Sequence, residues 1–493
     1  MVRQAYLLMA VLLVSAGPAW AGGNAGPLPA FDGIESALRY TPNRVQPLIS
    51  GQDALAARLA LVEHARQRID LQYYLYHDDK VGRFLGEALL RAADRGVQIR
   101  VLIDDMHGVD NRIMQALDQH PNIQVRRYNP FRMRSLHLLE AVLAFDRVDR
   151  RMHNKQLTVD GESSIVGGRN IGEEYFGVSD DVTFADLDVL VDGPAVPDLE
   201  QVFEAYWNNR HSKPLDRHAE EGGGKKLQEL RLRLSGAMAR DGEALKNLVA
   251  NSDFSRAGAA GGALQQECPA AVLADSPDKK NSAQSSAVAR RMAQQLRRSQ
   301  KDVLILSAYF VPGDKGSEAF TAALDHGVGV EIVTNSLAST DVPAVHAGYQ
   351  RYRELLLQAG ARLWEMKPVL KKKSRWHFAF GGSSNASLHS KAYLFDQRYL
   401  FVGSFNMDPR SAALNTEMGL LFDCPALAAP LMQGLRELLP ELAYRVYLDP
   451  DGSLRWEEKD DDTVSVFDRE PHAGFWRRTA VWWLRWLPIE SEL

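Results

Sequence analysis

His389-Ser390-Lys391, with Asp396 behind it and Gly403-Ser404-Phe405-Asn406 further on, decides how this chain of 493 residues is read. The same order stands upstream as His153-Asn154-Lys155, Asp160 and Gly167-Gly168-Arg169-Asn170. In both copies the step from His to Asp is seven residues (153 to 160, 389 to 396), from Asp to Gly seven more (167, 403) and from Gly to Asn three (170, 406). A lone His-x-Lys is common in a chain of this length and would ordinarily be a surface strand pair. Five residue types in register twice are poorly explained by chance, so the two halves carry one site design. On a strand, residues two apart point to the same face. The segments from His153 to Val159 and from His389 to Phe395 therefore each predict an imidazole beside an ammonium.

Two such faces brought together surround one small space with two imidazoles and two ammonium groups. The ammoniums of Lys155 and Lys391, with the Asn side chains and loop amides, suit a tetrahedral anion such as a phosphodiester, whose charge builds on oxygen during displacement. An imidazole titrates near pH ~6.5. One His can attack phosphorus while the other, protonated, gives its proton to the leaving oxygen. This pair calls on no metal or other cofactor.

His-x-Lys-x4-Asp twice, each followed by Gly-Ser/Gly-x-Asn, resembles the phospholipase D superfamily. Asp70-Leu71-Gln72-Tyr73-Tyr74, Arg95-Gly96-Val97, the stretch from Asn335 to Asp341 and His346-Ala347-Gly348-Tyr349 look like its bacterial cardiolipin synthase branch. The resemblance spans most of the chain and implies an α/β fold: two phospholipase D-like domains, each a mixed sheet flanked by helices, pseudo-two-fold related with the site at their interface. It implies a catalytic set of His153, Lys155, Asp160, His389, Lys391 and Asp396, although Asp160 and Asp396 sit at strand ends that suit bracing better than phosphate contact. Asn170, Ser404 and Asn406 would serve the substrate. An imidazole nucleophile works best when its other nitrogen is held by an acid. Asp186 and Glu417 match the family's positions for this, with Glu417 on His153 and Asp186 on His389 across the halves; a surface role for either acid is the alternative. Gly168 stands where the second copy has Ser404, which implies unequal pockets and asymmetric roles.

Length and a 45% hydrophobic content allow two or three domains with buried cores. A net charge of −5 and a pI near 6.3 give no global pull toward nucleic acid. At the N-terminus one Arg, an apolar run from Ala5 to Ser15 and the small-x-small exit Ala19-Trp20-Ala21 read as a secretory signal cleaved after Ala21. The alternative is an uncleaved anchor, though the run is short for a bilayer. Cys268 and Cys424 are too few for a disulfide framework or a Cys-based metal site. They could pair in an oxidising compartment but read as unpaired thiols, because Cys268 falls in a stretch of flexible composition.

Strand, helix and strand follow one another from Ile69 to Tyr76, Val81 to Ala93 and Val97 to Ile103, and again from Val303 to Phe310, Ser317 to Leu324 and Val328 to Thr334. Ile123 to Tyr128 and Ala361 to Glu365 add a short strand to each half. This order predicts parallel pairing with right-handed crossovers, and a repeat of whole domains. The resulting plan is a signal or anchor at 1–21, domains at 30–212 and 286–448, a linker with one helix near Leu227 to Leu248 at 213–285, and a tail at 449–493. No chemistry shows in the linker. Lys371-Lys372-Lys373-Ser374-Arg375-Trp376 reads as a solvated loop or a contact for an anionic headgroup. The stretch from Phe475 to Ile489, with four Trp and three Arg, reads as a short amphipathic helix at the membrane surface, ended by Pro488, or as Trp packing into the second domain.

The function that the resemblance implies is phosphatidyl transfer onto phosphatidylglycerol, with phosphatidylethanolamine a candidate donor, and the expected location is the periplasmic side of the bacterial inner membrane or an association with it. His153 is the provisional nucleophile and His389 the acid and base, and exchanging them fits the sequence equally well. A phospholipase D, another phosphodiesterase or a nuclease would hydrolyse the same intermediate. An inactive lipid-binding protein is the reading from another class, which two intact motif copies oppose.

Overall fold

The computed structural model describes residues 33–36, 39–106, 112–131, 149–179, 181–215, 223–259, 266–280, 282–368, 386–460 and 463–486. The expected signal at 1–21, the Lys371 to Trp376 run and Pro488 lie outside them.

The first half contributes strands β1 (Ile34–Glu35), β2 (Arg39–Leu48), β3 (Arg68–Tyr73), β4 (Gln98–Asp104), β5 (Ile123–Tyr128), β6 (Gln156–Val159), β7 (Ser163–Gly167), β8 (Thr183–Ala185), β9 (Asp188–Asp192) and β10 (Ser212–Pro214). The remainder contributes β11 (Gln266–Ala274), β12 (Asp302–Ser307), β13 (Gly329–Asn335), β14 (Arg362–Met366), β15 (Ala386–Leu388), β16 (Lys391–Phe395), β17 (Tyr399–Gly403), β18 (Met418–Asp423), β19 (Ala443–Leu448), β20 (Leu454–Asp460) and β21 (Thr463–Phe467). β3 and β4 pair in parallel around the helix Lys80–Asp94, and β12 and β13 do so around Gly313–Asp325. Strands such as β12, buried along almost their whole length, are apolar on both faces because helices cover the sheet.

Neighbour by neighbour, the first half runs β5-β4-β3-β6-β7-β9 and the second β14-β13-β12-β16-β17-β18. The orders correspond one to one. β2 adds to β9, β11 adds to β18, and β2 pairs antiparallel with β11. The two sheets therefore continue into one another instead of meeting only through side chains. At the far edge β19 pairs with β14, and the β20–β21 hairpin extends it.

Two expectations are corrected here. The segment 266–274 is not flexible linker but the central strand β11, and Cys268 within it is fully buried. Cys268 is also not a free thiol: it is disulfide-bonded to Cys424, the residue before the helix Pro425–Leu442, with Cα atoms 5.3 Å apart and a sequence separation of 156. The bond ties the joining strand to the second half. Closing so long a loop removes much denatured-state entropy. Cys424→Ala should lower the free energy of unfolding by about 2–5 kcal/mol in urea titrations. Reductant should reproduce that loss in the parent protein and leave the variant unmoved.

Candidate active site

Both motif histidines lie just before their strands rather than on them, since β6 begins at Gln156 and β16 at Lys391. Each is held by backbone from the opposite half. His153 N donates to Thr416 O at 2.9 Å, and Met152 bridges Thr416 in parallel. His389 N donates to Ala185 O at 2.8 Å, beside the parallel β8–β15 pair. Thr416 precedes Glu417 and Ala185 precedes Asp186. The segment that pins each His backbone thus also delivers the carboxylate to its ring.

His389 Nδ1 lies 2.6 Å from Asp186 Oδ2. His153 Nδ1 lies 3.0 and 3.1 Å from the two oxygens of Glu417 and 3.1 Å from Ser404 O. A carbonyl can only accept, so the bond to Ser404 O puts a proton on His153 Nδ1. Nε2 of each ring has no hydrogen-bond partner among the described residues. It is the nitrogen left for chemistry. Tyr74 meets the edge of His153 at 5.1 Å, while Tyr175 and Phe184 wall His389 at 5.1 and 5.2 Å. Lys155 Nζ donates to His153 O at 2.6 Å and stands 5.4 Å from the Tyr74 ring; Lys391 Nζ donates to His389 O. Each ammonium is braced on its own motif's histidine carbonyl.

The buried charges interact across the seam. Burial, followed by Lys155, Lys391 and His389, holds His153 well below the usual imidazole range. His389 is also lowered, by burial and Lys391, but the Asp186 carboxylate pulls it back up. Burial drives both ammoniums down, Lys155 well below its ordinary value. The two carboxyls diverge: burial pushes Glu417 up to about 7 against the pull of Lys155, whereas Asp186 falls to about 2 because His389 and Lys391 outweigh its burial. Near neutral pH the His153–Glu417 pair is biased toward uncharged forms, and Asp186 stays ionised beneath His389.

Ser404 Oγ donates to Glu417 Oε2 and accepts Met418 N, so the hydroxyl orients the carboxyl. This explains the departure at Gly168. A Cβ there would stand 2.2 Å from Asp186 Oδ1, and the shorter acid leaves no room for the hydroxyl. The inequality of the halves therefore lies first in how each acid is held. Asn170 is spent on structure, accepting Leu75 N at 3.2 Å and donating to Tyr175 OH at 2.9 Å. Asn406 Oδ1 is buried without a partner among the described residues. Asp160 and Asp396 are not brought to the site, which corrects their place in a catalytic set. Asp160 accepts the amides of Arg66, Gln67 and Arg68 at 2.8 Å, and Asp396 those of Gln300, Lys301 and Asp302 at 2.9, 2.7 and 3.3 Å. Five residues of extended chain separate each from its Lys, roughly 16 Å.

Sequence reasoning passed over the aromatic walls and one buried pair. Lys279 Nζ binds Asp275 Oδ2 at 2.8 Å, Ser411 O at 3.0 Å and Asn415 O at 2.6 Å, while Asp275 also accepts Glu417 N at 3.2 Å. This pair fixes the loop that presents Glu417. It sits in a segment whose composition reads as linker; Tyr74, by contrast, ends a stretch already singled out.

The family model described as cardiolipin synthase, PLD-like domain matches residues 59–207 and 292–439. The chain is 38% identical over 451 residues to cardiolipin synthase C of Escherichia coli (strain K12), covering 90% of this chain and 95% of that protein. It is 26% identical over 392 residues to cardiolipin synthase B of Salmonella typhi, covering 77% and 76%. The crystal structure of phosphatidylserine synthase from Haemophilus influenzae Rd KW20 shares the fold, with a TM-score of 0.57 at 14% identity over 92% of this chain and 98% of that one.

Two outcomes follow from the geometry. Gly168→Ala should displace Asp186 and lower kcat by about 10²-fold, the scale expected when a positioning group moves by an ångström, with far-ultraviolet circular dichroism unchanged. In histidine ¹⁵N titrations His153 should lose its proton at lower pH than His389, and both below about 6.5. The reverse order would exchange their roles.

Proposed function

The chain belongs to the family described as cardiolipin synthase, PLD-like domain, and from that premise we propose that it moves a phosphatidyl group onto phosphatidylglycerol through a phosphohistidine on His153. Membership makes it a phosphatidyltransferase acting on phospholipids. The observation that carries the finer reading is the pair of imidazoles, each oriented through Nδ1 by the other half's carboxylate and each with Nε2 unpartnered among the described residues.

In the first step His153 Nε2, kept unprotonated by burial and the neighbouring cations, attacks the phosphorus of the donor lipid. A P–N bond forms, the P–O bond to the leaving alcohol breaks, and His389 passes its proton to that oxygen. In the second step His389 takes the proton of the acceptor hydroxyl, whose oxygen displaces His153 and restores it. Lys155 and Lys391 stand where negative charge grows on the non-bridging oxygens. Ionised Asp186 favours the proton-carrying form of His389, which suits the acid and base role. The walls formed by Tyr74, Tyr175 and Phe184 limit water at the intermediate.

The proposal extends to location. A disulfide between Cys268 and Cys424 suits an oxidising compartment such as the periplasm. An exported enzyme would meet phosphatidylglycerol, and phosphatidylethanolamine as donor, at the bilayer surface. Among the described residues no helix is long and apolar enough to cross a membrane.

The test supplies phosphatidylglycerol to the detergent-solubilised protein, with and without phosphatidylethanolamine, and follows products by mass spectrometry. Cardiolipin should form, and His153→Ala should lower its rate by more than about 10³-fold. With radiolabelled lipid, His389→Asn should accumulate a protein-bound phosphatidyl group that alkali-stable, acid-labile chemistry assigns to histidine and that His153→Ala abolishes. Phosphatidic acid as the sole product would replace transfer by hydrolysis.

A further inference from the structure

The helix Phe475–Leu484 rests on the second half through a small apolar cluster of Leu337, Ala347, Ala473 and Val481. Its other faces turn outward. Trp476, Trp486, Phe475, Trp483 and Trp482 are 80%, 68%, 65%, 64% and 53% exposed. They form two sets on one helix: Phe475 meets Trp476 at 5.3 Å, and Trp482 meets Trp483 and Trp486 at 5.1 and 6.5 Å, with Phe475 and Trp482 lining one cavity. Exposed large apolar side chains gathered in this way on a globular protein mark a contact surface. Packing of these rings into the second domain, the alternative expected for this stretch, is not what the structure shows.

The charge on the helix itself is of one sign. From Phe475 to Trp486 the chain has Arg477, Arg478 and Arg485 and no acid. Between this helix and Pro343–Gln358 lies a cavity of about 570 Å³, lined by Arg478 and Arg485 beside Phe475 and Trp482. Neither arginine pairs with a carboxylate among the described residues. Glu470 also lines the cavity, but its charge is met by Arg353 at 2.9 Å and by Gln350 at 2.8 Å. Glu354, the other acid there, is exposed. The first turn is tied to the seam. Arg477 donates to Thr340 O, and the next residue, Asp341, accepts Tyr309 OH at 2.9 Å and acts electrostatically on Lys391.

We propose that this face docks the protein on an anionic phospholipid bilayer, with the Trp and Phe rings at headgroup depth and a lipid phosphate held in the cavity by Arg478 and Arg485. Tryptophan suits that depth because its ring is apolar and its N–H is polar, and arginine suits phosphate because its fork matches two oxygens. Docking through a helix hydrogen-bonded to Thr340, the residue before Asp341, turns the His389 side of the seam toward the lipid. Only this last consequence rests on the function proposed above.

The test uses the full chain with vesicles of phosphatidylcholine alone or mixed with phosphatidylglycerol, the lipids carrying brominated acyl chains. Parent tryptophan emission should be quenched, more strongly with phosphatidylglycerol. Trp476→Ala/Trp483→Ala/Trp486→Ala should lose most of the quenching and at least about tenfold in vesicle affinity, with an unchanged melting temperature because these side chains are exposed. Arg478→Glu/Arg485→Glu should lose the preference for phosphatidylglycerol. Parent emission indifferent to brominated lipid would overturn the proposal. So would a triple variant that is quenched like the parent, or one that only converts a dimer to a monomer. Vesicle binding lost in the variants while the parent transfers no lipid would uphold the docking surface and sink the proposed reaction instead.

Discussion

Each imidazole in the seam is oriented by a carboxylate that its own half does not possess. Glu417 reaches His153 and Asp186 reaches His389, and the peptide preceding each acid also receives the backbone N–H of the histidine it serves. Neither half alone can hold its ring in the tautomer that leaves Nε2 free. The relation of the halves is therefore fixed by the site as much as by the core. The sheet meets this demand by running without a break from one half into the other through β2 and β11. Asp275, at the end of β11, then bonds directly to the Glu417 segment. The joining strand is a structural seam and a support for one acid at once.

Two-fold symmetry of the backbone does not carry over to the chemistry. Glutamate is one methylene longer than aspartate, and the chain uses that length to place Ser404 against Glu417, where the other half needs Gly168 to make room for Asp186. The longer acid is buried with a hydroxyl partner and sits near 7, whereas the shorter one is drawn down by His389 and Lys391. Two near-identical motifs thereby acquire different proton affinities, the condition for one ring to act as nucleophile while the other carries the proton. The sequence marks this difference at a single position, Gly168 against Ser404; its cause appears only when the facing acids are in place.

The elements legible beforehand are those with local signals. The strand, helix and strand order of both halves is written in apolar periodicity, and the repeated His, Lys, Asp, Gly and Asn mark the site's two sides. β11 is illegible for a physical reason. Its Pro269-Ala270-Ala271-Val272-Leu273-Ala274 run has little intrinsic strand preference, and the glycines and serines around it imitate a linker. Pairing with β2 and β18 makes it a strand, and no local window contains that information. The disulfide is hidden in the same way, because its cysteines stand 156 positions apart. Asp160 and Asp396 show the opposite failure. Motif membership suggests chemistry, yet each takes a left-handed backbone, φ 54° and 55°, and gathers the amides that open β3 and β12. They hold the strands that hold the histidines.

Under the proposed route, transfer and hydrolysis share the phosphohistidine, so the outcome depends on which hydroxyl reaches it first. Water is present at high concentration everywhere except in a site that excludes it, and the burial of both histidines behind Tyr74, Tyr175 and Phe184 works against it. A lipid acceptor, by contrast, is confined to a surface. An enzyme held on that surface by the helix Phe475–Leu484 meets the acceptor at a local concentration set by the bilayer rather than by bulk solution. The same helix bonds to the loop before Asp341, whose charge reaches Lys391. If the protein docks as proposed, docking and chemistry are joined by one short path, and the balance between lipid and water then belongs to how the protein sits on the membrane as much as to the residues that form the intermediate.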